Sequence, residues 1–370
     1  MGLTSRTLLA LAVLLAVLLF GATIRLWPRL SRRTPRAVAG RVVLLLATQV
    51  AVFVAIGLAA NNSFLFYGSW ADLVGRRQEL GAVVDQAAGG RHITVVDRRR
   101  PPVPGAASPL TAGQIQKIVV GGVASGIDSS AYVYLPPEYF RPRYAHTTFP
   151  AAVVLTGYPG MAENLIQALH YPETAWRLAK EGRMRPMVLV MLRPTVAPPR
   201  DTECVDIPGG PQTETFFAKD LPRAVSQTYR VGTAARNWGF VGNSTGGYCA
   251  LKIALHHPEQ FAAGAGLSAY YKAAEDPTTG DLFHGDQRLR DRADLLWSLD
   301  HLPRRASSFL VTSSERGEGN LKETRKFMAA VKAPARVSSI ILDSGGHNFT
   351  TWRREIPPTL EWLSGRLSSD

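Results

Sequence analysis

The stretch VGNSTGGYCA, Val241 to Ala250, narrows the possible folds more than any other part of the chain. Trp238 to Val241 has the pattern of a strand covered on both faces, and Gly246-Gly247-Tyr248-Cys249-Ala250-Leu251 begins a helix directly after it. So short a passage from strand to helix needs a sharp turn, which Gly242 and Gly246 allow because they carry no Cβ. Ser244 occupies the apex. A hydroxyl held there is lifted above the sheet beside the positive end of a helix, where a nucleophile can meet its substrate. With 33 glycines in 370 residues, Gly-x-Ser-x-Gly alone arises by chance about one time in five. The strand before it and the helix after it separate a nucleophile from a serine in a Gly-rich loop.

The chain from Gln114 onward matches that junction. β-rich runs begin at Ile115 (IQKIVVGGV), Ala131 (AYVYL), Pro150 (PAAVVLTG), Met187 (MVLVML), Trp238 (WGFVGNS), Ala263 (AGAGLSA), Ser308 (SFLVTS) and Val337 (VSSIIL). Helical patterns lie between them over 163–181, 216–231, 246–256 and 320–331. Runs that are apolar throughout suit strands buried on both faces, so the alternation predicts an α/β fold with a mostly parallel sheet and one antiparallel hairpin at its start. Residues 114–370 are expected to form one catalytic domain.

Two other runs set the N-terminal part apart. Thr7–Ile24 and Val42–Ala60 contain no charge, and each is long enough to cross about 30 Å of hydrocarbon as a helix. Arg25, Arg29, Arg32, Arg33, Arg36 and Arg41 lie between them. Arginine-rich short loops stay cytoplasmic, so residues 1–62 predict a two-helix transmembrane hairpin in the plasma membrane, with everything beyond it extracytoplasmic. A cleaved signal peptide is the competing reading. It fits less well because the run is long, no A-x-A site follows, and cleavage would leave six arginines on the translocated side. Residues 1–41 hold seven arginines and no acid, which leaves only +6 of the net +13 for the rest of the chain. That excess is too diffuse for a nucleic-acid surface. Within 63–113, Ser69–Val84 reads as a membrane-proximal helix with Trp70, Leu73, Val74 and Leu80 on one side, and Asp97–Gly113 (DRRRPPVPGAASPLTAG) as a linker.

A serine hydroxyl needs a base to become a nucleophile. Of the eight histidines, His256 and His257 fall at a helix end before Pro258 and read as solvated or dipole-complementing residues, and His92, His146 and His301 lie in polar connections. His170 and His284 could line a pocket, but neither follows a strand. His347 does: VSSIILDSGGHNF carries a strand into a Gly-Gly turn, and it comes last in chain order as this architecture requires. SFLVTSSERGEGN offers Glu315 and Glu318 as the carboxylate that would orient it, with strand-end geometry favouring Glu318 slightly. The backbone N–H of Thr245, and that of Tyr158 in the turn after PAAVVLTG, are placed to form an oxyanion hole. No H-E-x-x-H, Cys/His cluster or phosphate loop occurs, so neither a metal nor another cofactor is expected. Cys204 and Cys249 are permitted to pair in an oxidising compartment, but Cys249 reads as a small buried hydrophobe.

YVYLPPEY (Tyr132–Tyr139), TGYPG (Thr156–Gly160), GNSTGG (Gly242–Gly247), HPEQFAAGAGLSAYY (His257–Tyr271) and GGHNFTTW (Gly345–Trp352) together resemble the putative esterase family of α/β-hydrolases. That group includes feruloyl-type esterases, S-formylglutathione hydrolase and the secreted mycolyltransferases, and the resemblance spans about residues 115–366. It implies an α/β-hydrolase fold, helices on both faces of the sheet, and a triad of Ser244, His347 and either Glu318 or Glu315. Members often carry an aspartate in a G-x-x-D turn after that strand; SSERGE stands here instead. The expected activity is ester hydrolysis through an acyl-enzyme. The alternatives are an acyltransferase of mycolyltransferase type serving a sugar or lipid hydroxyl, a peptidase, and a catalytically silent binding module. An outward-facing site anchored in the bilayer suits an acyl ester of the envelope-lipid or acylated-glycan class, and Tyr270–Trp297 is expected to cap the pocket.

Overall fold

A computed structural model describes residues 2–3, 5–64, 70, 93–105 and 108–369. The chain divides into two compact units, Met1–Glu79 and Leu80–Asp370. The expected helix over Ser69–Val84 and His92 lie outside the described residues, apart from Trp70.

In the first unit, helices α1 (Arg6–Leu26) and α2 (Pro35–Phe64) pack against each other. Ser5 caps α1 by accepting the Leu8 N–H. Ala16, Ala37, Ala51 and Ala55 are buried, and the hydroxyls of Thr23 and Thr48 lie 3.0 Å apart, so small side chains bring the two backbones close. Leu14, Val17, Leu18, Val43 and Phe53 are exposed on the outer sides. Length and composition suit membrane spans or, near the N-terminus, a signal sequence.

The second unit is an α/β-hydrolase fold built on one nine-stranded sheet. Its strands are β1 (Ile93–Arg99), β2 (Gln114–Gly121), β3 (Asp128–Leu135), β4 (Ala151–Leu155), β5 (Val188–Leu192), β6 (Trp238–Asn243), β7 (Ala263–Leu267), β8 (Ser308–Ser314) and β9 (Arg336–Leu342). They lie in the order β1-β2-β3-β5-β4-β6-β7-β8-β9. β1 to β3 run antiparallel, β3 meets β5 antiparallel, and β4 to β9 are parallel. All eight expected strands are present. β1 is a ninth, and it corrects the linker expected over Asp97–Gly113: Asp97, Arg98 and Arg99 pair with Lys117, Gln116 and Ile115. Charge on an edge strand blocks further pairing, and that charge is what made the segment look unlike a strand.

The helices that matter for the site are α3 (Tyr171–Lys180), α4 (Leu221–Thr228), α5 (Thr245–His256), α6 (Leu321–Ala330) and α7 (Phe349–Ser364). Tyr171 and Leu178 of α3 and Trp352, Ile356 and Leu360 of α7 share one core with Val154, Val241 and Leu267 of the sheet. Tyr248, Leu251 and Ile253 of α5 and Val225 of α4 share the other with Phe216, Phe217 and Phe240. The helix expected over 163–181 breaks at His170, which takes φ 54°, into Glu163–Gln167 and α3. The pattern over 216–231 begins as a π-helical turn, Phe216–Asp220, before α4. No pattern announced α7, because Pro357 and Pro358 stand inside it and proline normally interrupts a helix.

Candidate active site

Ser244 sits between β6 and α5 with φ 56° and ψ −123°, a conformation that a residue with a Cβ rarely adopts and that costs about 1–3 kcal/mol. Packing on both sides enforces it. A Cβ on Gly242 would stand 2.3 Å from the Gly246 carbonyl oxygen, and one on Gly246 would stand 2.4 Å from that of Thr156. Only glycine fits at either place. The Ser244 N–H donates to the Leu267 carbonyl at 2.9 Å, tying the apex to the end of β7.

His347 arrives from the loop after β9, and its Nε2 lies 2.9 Å from the Ser244 Oγ. Its Nδ1 lies 3.1 Å from Glu318 Oε1. A carboxylate accepts a hydrogen bond from Nδ1–H, which leaves the Nε2 lone pair facing the hydroxyl. The Glu318 side chain is 4% exposed, whereas that of Glu315 is 50% exposed and pairs with Arg325 at 3.0 Å. Of the two carboxylates foreseen, the fold therefore brings Glu318 to the imidazole and leaves Glu315 on the surface. Glu318 is held from behind as well: its Oε2 accepts the Ser268 hydroxyl at 2.8 Å, and the Ser268 Oγ accepts the Trp352 indole N–H at 2.9 Å. The Ser268 N–H in turn donates to the Thr312 hydroxyl at 2.9 Å.

The loop after β4 closes the site on the other side. A Cβ on Gly157 would lie 2.8 Å from that of Ser244, so the backbone leading into Tyr158 runs directly against the serine. Thr245 is the first residue of α5, where N–H groups have no acceptor within the helix. Both expected oxyanion donors thus belong to segments that converge on Ser244. The Tyr158 hydroxyl reaches outward and donates to the Pro199 carbonyl at 3.4 Å.

Several neighbours were not legible beforehand. Asp201 and Glu203, on the segment after β5, are buried beside the elbow. Burial and then the Asp201 charge push the Glu203 carboxyl up to about 8, although it accepts the Tyr270 hydroxyl at 2.6 Å. Asp201 is pushed up to about 6, chiefly by burial, against the pull of the Glu203 N–H and the Thr245 hydroxyl. Cys204 and Cys249 form a disulfide, which corrects the reading of Cys249 as a lone hydrophobe and fastens this segment to α5. Lys252 adds a second clamp through the Cys204 carbonyl and Glu214, the latter at 2.7 Å. His256 and His257, expected as solvated or dipole-complementing residues at the helix end, each lie 3.0 Å from Glu214, with the His256 side chain fully buried. The expected cap joins the same segment: Arg200 donates to the Thr279 and Asp281 carbonyls. Among the described residues, no group of three or more His, Cys, Asp or Glu side chains is placed to hold a metal ion.

A serine elbow between a parallel strand and a helix, with an imidazole from the last loop, defines an α/β-hydrolase. Residues 124–363 match the model of the family described as Putative esterase, and the chain belongs to that family. An uncharacterized protein of Corynebacterium glutamicum is 27% identical over 261 residues, 65% of this chain, which spans 58% of that relative's length. Among solved structures, a ferulic acid esterase superposes with a TM-score of 0.58 at 18% identity, covering 68% of this chain and 98% of that one. An S-formylglutathione hydrolase of Agrobacterium tumefaciens gives 0.54 at 18%, covering 69% and 96%. A fluorophosphonate-binding serine hydrolase of Staphylococcus aureus gives 0.55 at 14%, covering 68% and 98%. At these identities the structural likeness speaks for the fold.

Proposed function

We propose that the protein is a membrane-anchored serine esterase that cleaves carboxylic esters through an acyl-enzyme on Ser244. The observation that carries this reading is the continuous chain from Ser244 Oγ through His347 to the buried Glu318. Ser244 Oγ attacks the ester carbonyl while His347 Nε2 takes its proton, and Glu318 stabilises the resulting imidazolium. The N–H groups of Thr245 and Tyr158 receive the oxyanion, each such donor contributing about 3–4 kcal/mol to the transition state. His347 then passes the proton to the leaving alkoxide. Water, activated by the same imidazole, releases the acid and restores the serine.

An extracytoplasmic position at the plasma membrane is supported by two independent features. Six arginines separate the apolar helices, which favours a cytoplasmic connection and an outward-facing catalytic unit. The Cys204–Cys249 disulfide suits an oxidising compartment. Esters of the cell envelope, lipids or acylated glycans, are the substrates such a position would offer.

The test is fluorophosphonate labelling of the full chain, followed by product masses from a long-chain acyl ester. Labelling that disappears in Ser244→Ala supports the mechanism, and an unlabelled parent chain would falsify it in favour of a binding module. Adding trehalose or another sugar separates the acceptors: free acid alone means hydrolysis, whereas an acylated sugar makes the enzyme a transferase.

A further inference from the structure

Helix α7 does more than follow His347. One turn beyond Trp352, whose indole reaches Ser268, lies Glu355, buried completely and with no hydrogen-bond partner at either carboxyl oxygen. The groups that act on it come from each element around it. Thr312 of β8 brings its hydroxyl beside it, Glu318 adds a negative charge from the loop after β8, and Arg354 adds a positive one. From α3 comes the Tyr171 hydroxyl, itself buried and unpartnered. Arg354 points away and donates to the Ser344 carbonyl at 2.7 Å, so no cation pairs with Glu355. Burial first, and the Glu318 charge after it, push the Glu355 carboxyl up to about 8.

A hydrophobic residue of similar volume would fill this place more cheaply than an unpaired carboxyl. The location offers a reason for the acid. Thr312 accepts the Ser268 N–H, the Ser268 hydroxyl donates to Glu318, and Glu318 holds His347. Glu355 thus faces the far end of a polar chain that finishes at Ser244. We propose that Glu355 is a positioning residue for the Glu318–His347 pair, a buried acid packed behind the Thr312–Ser268 link at the far end of that chain. The inference rests on the serine-esterase reading above. Once Glu355 loses its proton at alkaline pH, a second anion repels Glu318 and draws the Thr312 hydroxyl away from its present place.

The experiment follows kcat, KM and the rate of fluorophosphonate labelling of the full chain between pH 6 and 10, for the parent, Glu355→Ala and Glu355→Gln. In the parent, both rates should fall about tenfold per pH unit above the ionisation of Glu355, as for one essential protonated group. Glu355→Ala should lower kcat about tenfold with little change in KM, and Glu355→Gln should restore most of it while flattening the alkaline fall. A role confined to stability would move Tm and leave the shape of the pH profile alone. An alkaline fall in Glu355→Gln that superimposes on the parent's overturns the proposal. Should the glutamine variant not fold, Glu355→Met takes its place, and a parent profile flat to pH 10 overturns the proposal without any variant. A parent that is never labelled removes the esterase reading itself, which is a different outcome.

Discussion

Glu214 and Glu355 are both buried carboxyls, one packed against α5 and the other on α7, yet their surroundings push their ionisation in opposite directions. Glu214 meets Lys252 at 2.7 Å and both His256 and His257 at 3.0 Å. Burial opposes its ionisation, but Lys252 and the two histidines outweigh that and hold the carboxyl well below the usual range. Glu355 has no such company and keeps its proton to about pH 8. Burial sets the cost of a charge, and the partner decides whether the cost is met. On α5 the result is a clamp: the ion pair and the disulfide fix the segment that carries Asp201 and Glu203. Beside α7 the result is an acid whose ionisation burial opposes, set close to Glu318.

The largest expected effect tests whether Glu318 must carry its charge. Glu318→Gln removes the acceptor for Nδ1–H, and turnover should fall about 1,000- to 10,000-fold, measured as kcat on an acyl ester. Next, Lys252→Met would make the Glu214 corner resemble the Glu355 corner. It leaves a buried anion without its cation, and chemical denaturation should show a loss of about 3–5 kcal/mol. Glu355→Gln sharpens the contrast through pH. Because the folded-state pKa is raised, Glu355 favours the folded state fully at pH below the unfolded value of about 4.5, and that contribution is lost as pH rises toward 8. The parent should therefore lose about 3–4 kcal/mol more than the variant between pH 5 and 8, read from denaturation at each pH. Glu203 lies near α5 but is raised like Glu355, and Tyr270 supplies its hydroxyl donor. Tyr270→Phe should cost about 1–2 kcal/mol in Tm-derived stability. Glu315→Ala, which breaks only an exposed pair with Arg325, should change stability by less than about 0.5 kcal/mol and leave turnover intact.

Much of this arrangement could be read from the chain alone because it depends on local pattern. The parallel strands are continuous apolar runs, and the elbow announces itself through glycines that the packing turns out to require. His347 was identifiable because a Gly-Gly turn follows a strand near the end of the chain. The failures have equally local causes. β1 carries Asp97, Arg98 and Arg99, so its strand character is hidden by charge, and α7 is hidden by two prolines. Histidines before a proline resemble a solvated helix end, and nothing adjacent in sequence reveals Glu214, more than forty residues earlier.

By itself the sequence determined the sheet-and-helix alternation, the apex at Ser244, the place of His347 after the last strand and the two apolar helices, since periodicity and turn chemistry act over a few residues. Tertiary structure alone brought Glu318 rather than Glu315 to His347, joined Cys204 to Cys249, and set the surroundings that shift the buried acids. Those outcomes depend on which groups meet in space and how much water remains around them, and electrostatic energies change steeply with both.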